Sequence, residues 1–227
     1  YYLKGHKVGF INYLPLWNFI IFIFLPPRTI LGPITGGAKY VNLISISYLL
    51  RRFLFPIFYK ISEFFLNIRF KKNIIFSTDL LKEILSKKLL KKSKFNYVLT
   101  NFKFFKRKRK NIDFIIYYRL HANKVKFFKH NFIENLIKLN FNVSVVGDKL
   151  KINGVKNYGY ISKKKILKLQ SISKYTICSQ ENIYSLFVLE CISNHVKIII
   201  NKEYMREIKF FKNYFTSFNL IKPKKNK

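Results

Sequence analysis

Between residues 112 and 201, short apolar runs alternate with stretches whose apolar positions recur at helical spacing. The runs at 112–118, 143–147, 155–160, 176–179 and 196–200 read as strands. The stretches at 127–139, 163–172 and 185–193 read as helices. Strands and helices alternating at these lengths predict an α/β domain with a parallel sheet covered on both faces. In such sheets ligands bind outside the carboxyl ends of the strands.

The first hundred residues are less regular. Residues 8–27 form the most apolar stretch, interrupted by Asn12, Pro15 and Asn18 and closed by Pro26-Pro27. The unbroken part, 19–25, is too short to cross a bilayer and predicts a buried strand or a membrane-surface patch. Residues 29–38 read as a β-like run ending in Gly36-Gly37, and 40–69 as a helix broken at Pro56. A strand at 73–78 follows. Ser77 or Thr78 then caps a helix over 79–90, and another short strand covers 96–100. The basic run at 105–110 predicts a linker, because like charges disfavour packing there. The domains expected are therefore 1–104 and 111–227. The segment 202–227 reads as a helix with a basic tail.

Composition adds two things. Of 227 residues, 49% are hydrophobic, enough to bury a core and to exclude a disordered chain. The formal net charge is +34, from 44 Lys and Arg against 10 Asp and Glu. Such a charge suits a polyanion partner: nucleic acid, anionic lipid or a phosphorylated substrate. It also follows from AT-rich codons, which supply Lys, Asn, Ile, Phe and Tyr. Cys178 and Cys191 form neither a disulfide framework nor a zinc motif, and the four histidines show no metal spacing. No metal is expected, and a reduced cytoplasmic setting is the default.

Three groups of residues could carry chemistry. Arg119 and Lys124 follow the strand 112–118, where two cations can grip a diphosphate. The segment 179–190 runs from a strand end through a polar turn into a helix beginning near Ser185 and Leu186. Its free N–H groups suit phosphate, and Glu190 on it can accept ribose hydroxyls. Gly36-Gly37 allows close backbone approach to a ligand. Each has a plainer reading, as surface cations, a Lys-paired carboxylate and a simple turn. Asp148, after Val145-Val146-Gly147, reads as a turn former.

In their order and spacing these elements resemble the donor-binding domain of retaining glycosyltransferases of the GT-B fold, group 1 (family 4) type. The resemblance is strongest over 112–201 and extends more weakly over 29–100. In that family an Arg and a Lys five positions later bind the donor pyrophosphate, matched by Arg119 and Lys124. A V-x-G-D turn is matched by Val145 to Asp148, with Gly147 beside the donor, and a V-x-x-x-G-x-I-S element by Val155 to Ser162. The acidic E-x7-E motif ends at Glu190, which the resemblance assigns to the ribose. Its first position is Asn182 here. Either that amide or Glu181, one place earlier, would contact the sugar. Ser185 and Leu186 fall in the turn whose N–H groups face the donor.

The turn GPITGG, holding Gly36 and Gly37, resembles one on the acceptor side of some members. Family members have a further segment before it. The resemblance therefore implies two Rossmann-like domains with the first incomplete, and catalysis impaired if that segment is missing. It implies a metal-independent transferase that needs no cofactor beyond its nucleotide-sugar substrate. Its acceptor would be a glycan or lipid-linked glycan in surface polysaccharide or glycolipid synthesis, and its place the cytoplasm or the inner membrane face. The alternative is a basic nucleic-acid-binding protein without catalysis, suggested by the charge and an aromatic content of 18%.

Overall fold

A computed structural model describes residues 2–10, 14–36, 46–70, 74–96, 103–120, 128–179 and 182–217. The chain divides into two compact units, Tyr1–Thr100 and Asn101–Lys227.

In the first unit a four-stranded parallel sheet runs in the order β2 (Leu14–Pro15), β4 (Ile34–Thr35), β5 (Ile74–Phe76), β6 (Ser93–Phe95). Beside it, β1 (Gly9–Phe10) pairs in parallel with β3 (Ile30–Leu31). The apolar stretch 8–27 is thus neither one strand nor a span. Pro15 accepts the Asn18 N–H to make a turn, and the six-residue helix α1 (Phe19–Phe24) follows. Among the described residues no helix is long and apolar enough to cross a membrane.

The helix α2 (Ile46–Arg69) continues through Pro56 instead of breaking there. Ring contacts on either side of the proline hold it to the α1 segment, Trp17 against Phe55 at 5.7 Å and Phe19 against Phe58 at 5.4 Å. Its inner residues Ser62 and Leu66 are fully buried with Leu14, Leu16, Phe22, Ile34 and Phe76.

The helix expected over 79–90 is two pieces, a 3-10 turn at Asp79–Glu83 and α3 (Lys87–Leu90). The buried Glu63 carboxylate takes the Ser86 N–H at 2.7 Å, so that N–H cannot continue the first helix. Ser86 Oγ instead accepts the Leu89 N–H and starts the second. Thr78, not Ser77, caps the first piece. The strand expected at 96–100 lies earlier, as β6, and 97–100 fall outside the described residues.

In the second unit six strands form one parallel sheet: β7 (Ile112–Tyr118), β8 (Val143–Gly147), β9 (Lys156–Asn157), β10 (Ser173–Ile177), β11 (Lys197–Ile200) and β12 (Phe215–Ser217). Their spatial order is β12-β11-β10-β7-β8-β9. The chain winds outward from β7 to one edge, returns to β10, and winds to the other edge. That is the Rossmann-like, doubly wound order. Helices α4 (His130–Lys138), α5 (Lys163–Ser171) and α6 (Leu186–Ser193) flank it. β8 is buried at every position and β7 at all but one, as strands covered on both faces require. Asp113, the polar residue inside β7, is buried but satisfied: it accepts the Asn142 N–H at 2.9 Å and pairs with Lys174 at 3.0 Å.

Two expectations fail in this unit. The segment after β11 is not a helix but two 3-10 turns, Lys202–Glu207 and Lys212–Tyr214, leading into the edge strand β12. Phe215 is buried there against Tyr184, which draws the strand onto the sheet. The basic run is not a free linker either. The Phe105 N–H donates to the Ser193 carbonyl at 2.9 Å. The Lys110 ammonium donates to the Ser171 and Asn194 carbonyls at 3.0 and 2.7 Å, beside the ends of α5 and α6. Burial pushes its pKa down, but helix ends supply the partial negative charge that holds a cation. The unit boundary accordingly precedes this run.

Candidate functional site

Because the chain leaves β7 toward one edge and β10 toward the other, the loops after these adjacent strands diverge. A crevice must open above their carboxyl ends. A cavity of about 140 Å³ lies at that switch point. Tyr117 and Arg119 line it from the end of β7, with Phe128; Cys178, Ser179, Asn182, Ser185 and Phe187 line it from the β10 side.

Arg119 is exposed and follows β7 directly. Its loop is tied down by Asp148. That carboxylate accepts the Leu120 N–H at 2.6 Å and the Tyr160 hydroxyl at 2.7 Å. These two hydrogen bonds, the Tyr160 one first, hold the Asp148 pKa below the usual carboxylate range, and the Arg119 charge adds to them. The Tyr160 phenol is raised in return. Asp148 is therefore more than a turn former, since it bridges the loops after β7, β8 and β9.

Gly147 has a steric role. Its φ is +101°, and a Cβ there would lie 2.2 Å from the Tyr118 carbonyl oxygen. Only glycine lets β8 end this close to β7.

From the β10 side, Ser185 caps α6, its Oγ accepting the Val188 N–H at 3.3 Å. The first N–H groups of this helix therefore begin at the cavity, where the backbone dipole favours an anion. Leu186, the first helical residue, has an exposed side chain and does not line the cavity. Asn182 sits in the preceding turn and accepts the Ser185 N–H through its carbonyl. Its Oδ1 is buried without a hydrogen-bond partner among the described residues. An unmatched buried acceptor is costly unless something donates to it.

Glu190 lies farther along α6 and does not line the cavity. Its carboxylate pairs with the Lys163 ammonium at the start of α5. Lys124, Glu181 and Gly37 lie outside the described residues. Gly36 belongs to the first unit. It has φ +133°, with only ordinary contacts from Leu81, Tyr59 and Leu16 around a notional Cβ. No group of metal-ligating side chains occurs among the described residues.

The structure thus brings Arg119, Asn182 and Ser185 to one cavity; Gly147 does not line it but packs against Tyr117 and Tyr118 at the end of β7. The structure adds residues that sequence reasoning passed over. Tyr117 and Phe187 stack at 5.5 Å and 26°, forming an aromatic wall of the cleft. Tyr117 is the one exposed position in an otherwise buried strand. That departure has no sequence signal, because two adjacent tyrosines end the run. Cys178 also lines the cavity, but burial pushes its thiol up to about 12.

Compared with models of protein families and with curated proteins, the chain matches none.

Proposed function

We propose that the second unit binds the diphosphate and ribose of a nucleotide sugar, and that the protein is a glycosyltransferase. The observation carrying this reading is the convergence of Arg119 with the Ser185-capped start of α6 on one cavity at the switch point of the parallel sheet. A guanidinium offers two parallel donors to a phosphate, and a helix start adds backbone N–H groups. Together they would neutralise the charge that develops on a departing diphosphate, without a metal. By resemblance Lys124 joins them.

Asn182 supports the sugar side of the reading, since it lines the cavity and its buried Oδ1 has no donor among the described residues. Glu190 would receive the ribose hydroxyls in place of Lys163, with the nucleoside extending from the cavity along α6. A glycan or lipid-linked acceptor held by the first unit, and retention of configuration, are what the resemblance adds.

The test is thermal unfolding of the full chain with a panel of nucleoside diphosphates and nucleotide sugars. A ligand at about a hundred times its Kd should stabilise the protein by about 2.7 kcal/mol. If no nucleoside diphosphate raises the unfolding temperature while a single-stranded oligonucleotide does, the chain is a nucleic-acid binder and the reading is wrong.

A further inference from the structure

We propose that the second unit carries a separate groove for an anionic membrane phospholipid, taking the headgroup phosphate and the adjoining acyl segment, between residues 105–108 and helix α5. This does not depend on the transferase reading.

The groove has a volume of about 870 Å³. Lys106 and Lys108 line it from one side and Lys164, Lys165 and Lys168 from the α5 side. Among the described residues, no carboxylate lines it. Glu190 on the neighbouring helix α6 is engaged by Lys163. On α5 the lysines lie three and four residues apart, the spacing at which like charges repel on a helix. Both sides are fixed rather than free to move apart. The Phe105 carbonyl meets His195 Nε2 at 2.8 Å, Phe104 stacks on His195 at 5.3 Å, and Lys110 binds the Ser171 and Asn194 carbonyls. Five cations held about one opening without an internal counter-charge leave a field that an external anion relieves.

The rest of the lining decides what kind of anion. Phe105 is exposed, Leu167 and Ile172 are half-buried, and Leu169 is buried. A soluble polyphosphate would leave this apolar surface wet. A nucleic-acid strand needs successive stacking rings, and Phe105 is the single aromatic side chain lining the groove among the described residues. A phospholipid matches both parts, phosphate on the ammonium groups and methylenes on the apolar lining and lysine stems.

The experiment is co-sedimentation of the full chain with phosphatidylcholine vesicles, with and without phosphatidylglycerol. The groove variant Lys164→Ala/Lys165→Ala/Lys168→Ala is compared with Lys87→Ala/Lys88→Ala/Lys91→Ala, which removes equal charge from exposed sites in the first unit. Alanine favours the helix at the three groove positions, so the fold should persist. Lys106→Ala/Lys108→Ala, outside any helix, gives an independent check.

Affinity for phosphatidylglycerol vesicles should fall by on the order of a hundredfold in the triple groove variant, from about fivefold per lysine. The charge-matched control should lose about threefold or less, as screened remote charges do. Excess oligothymidylate should not displace the vesicles. Equal losses in both triple variants would mean diffuse attraction and overturn the groove. Displacement by oligothymidylate would assign it to nucleic acid instead.

Discussion

The Asp148 carboxylate accepts the backbone N–H of Leu120, 28 positions earlier, at 2.6 Å. One hydrogen bond thereby ties the loop carrying Arg119 to the end of the neighbouring strand. Because the Asp148 pKa is depressed on folding, its contribution is complete above the unfolded carboxylate value and is lost as pH falls through the lower folded value. The stability difference between wild type and Asp148→Asn should therefore be constant above about pH 5 and shrink below it. Urea unfolding across that range measures it. A difference that grows toward acid would contradict the assignment.

Arg119 is exposed, so its removal should leave stability within about 0.5 kcal/mol. Arg119→Ala should nonetheless lower donor turnover by roughly a hundredfold to a thousandfold, the usual cost of removing one preorganised charge-stabilising donor. Initial rates alongside unfolding curves separate the two effects. Wild-type turnover in a folded Arg119→Ala protein is the result that removes the phosphate role.

Glu190 allows a finer division. Its pair with Lys163 is partly exposed, with Lys163 at 62%, so breaking it should cost at most about 1 kcal/mol of stability. Under the proposed role, Glu190→Gln weakens binding of nucleoside diphosphates and leaves inorganic pyrophosphate binding unchanged. Calorimetric titration with each ligand distinguishes them. Equal loss for both ligands would place Glu190 at the phosphates instead.

Gly147→Ala sets a Cβ 2.2 Å from the Tyr118 carbonyl in a backbone conformation that side chains rarely adopt. The strand ends must separate, and the variant should lose about 2 kcal/mol or more. Denaturant midpoints at unchanged slope provide the measurement. A neutral substitution would show that the two strand ends yield easily.

Cys178 and Cys191 are both buried, with Cys178 pushed up to about 12 and Cys191 raised well above its ordinary value. Neither should react with a neutral thiol reagent at pH 7 until the protein unfolds, since the thiolate is the reactive form. Fast labelling of Cys178 in the native state would mean that the cleft opens far wider than this structure.

Much of the second unit was legible because its signals are local. The strand at 112–118 and the one at 143–147 coincide with their apolar runs, since strands buried on both faces have no polar side to blur the pattern. Ser162 and Ser185 mark helix starts because a capping oxygen acts within three residues. The basic run at 105–110 misled for a non-local reason. Its repulsion was visible, but the carbonyls that receive Lys110 lie 61 and 84 positions away. The break at Ser86 has the same origin in Glu63, as does the edge strand at 215–217, which forms only because β11 is there to pair with it.

For the site, the sequence alone determined which chemistry was on offer: a cation after one strand and a capped helix after another, each set by neighbours a few residues away. Tertiary structure alone decided which of these meet. Strand order placed Arg119, Asn182 and Ser185 over one crevice, turned Glu190 toward Lys163, and set Tyr117 against Phe187. Helix and strand periodicity acts over a few residues and registers which side of a segment is apolar. Adjacency across a parallel sheet joins segments about sixty residues apart, and no local pattern encodes that distance.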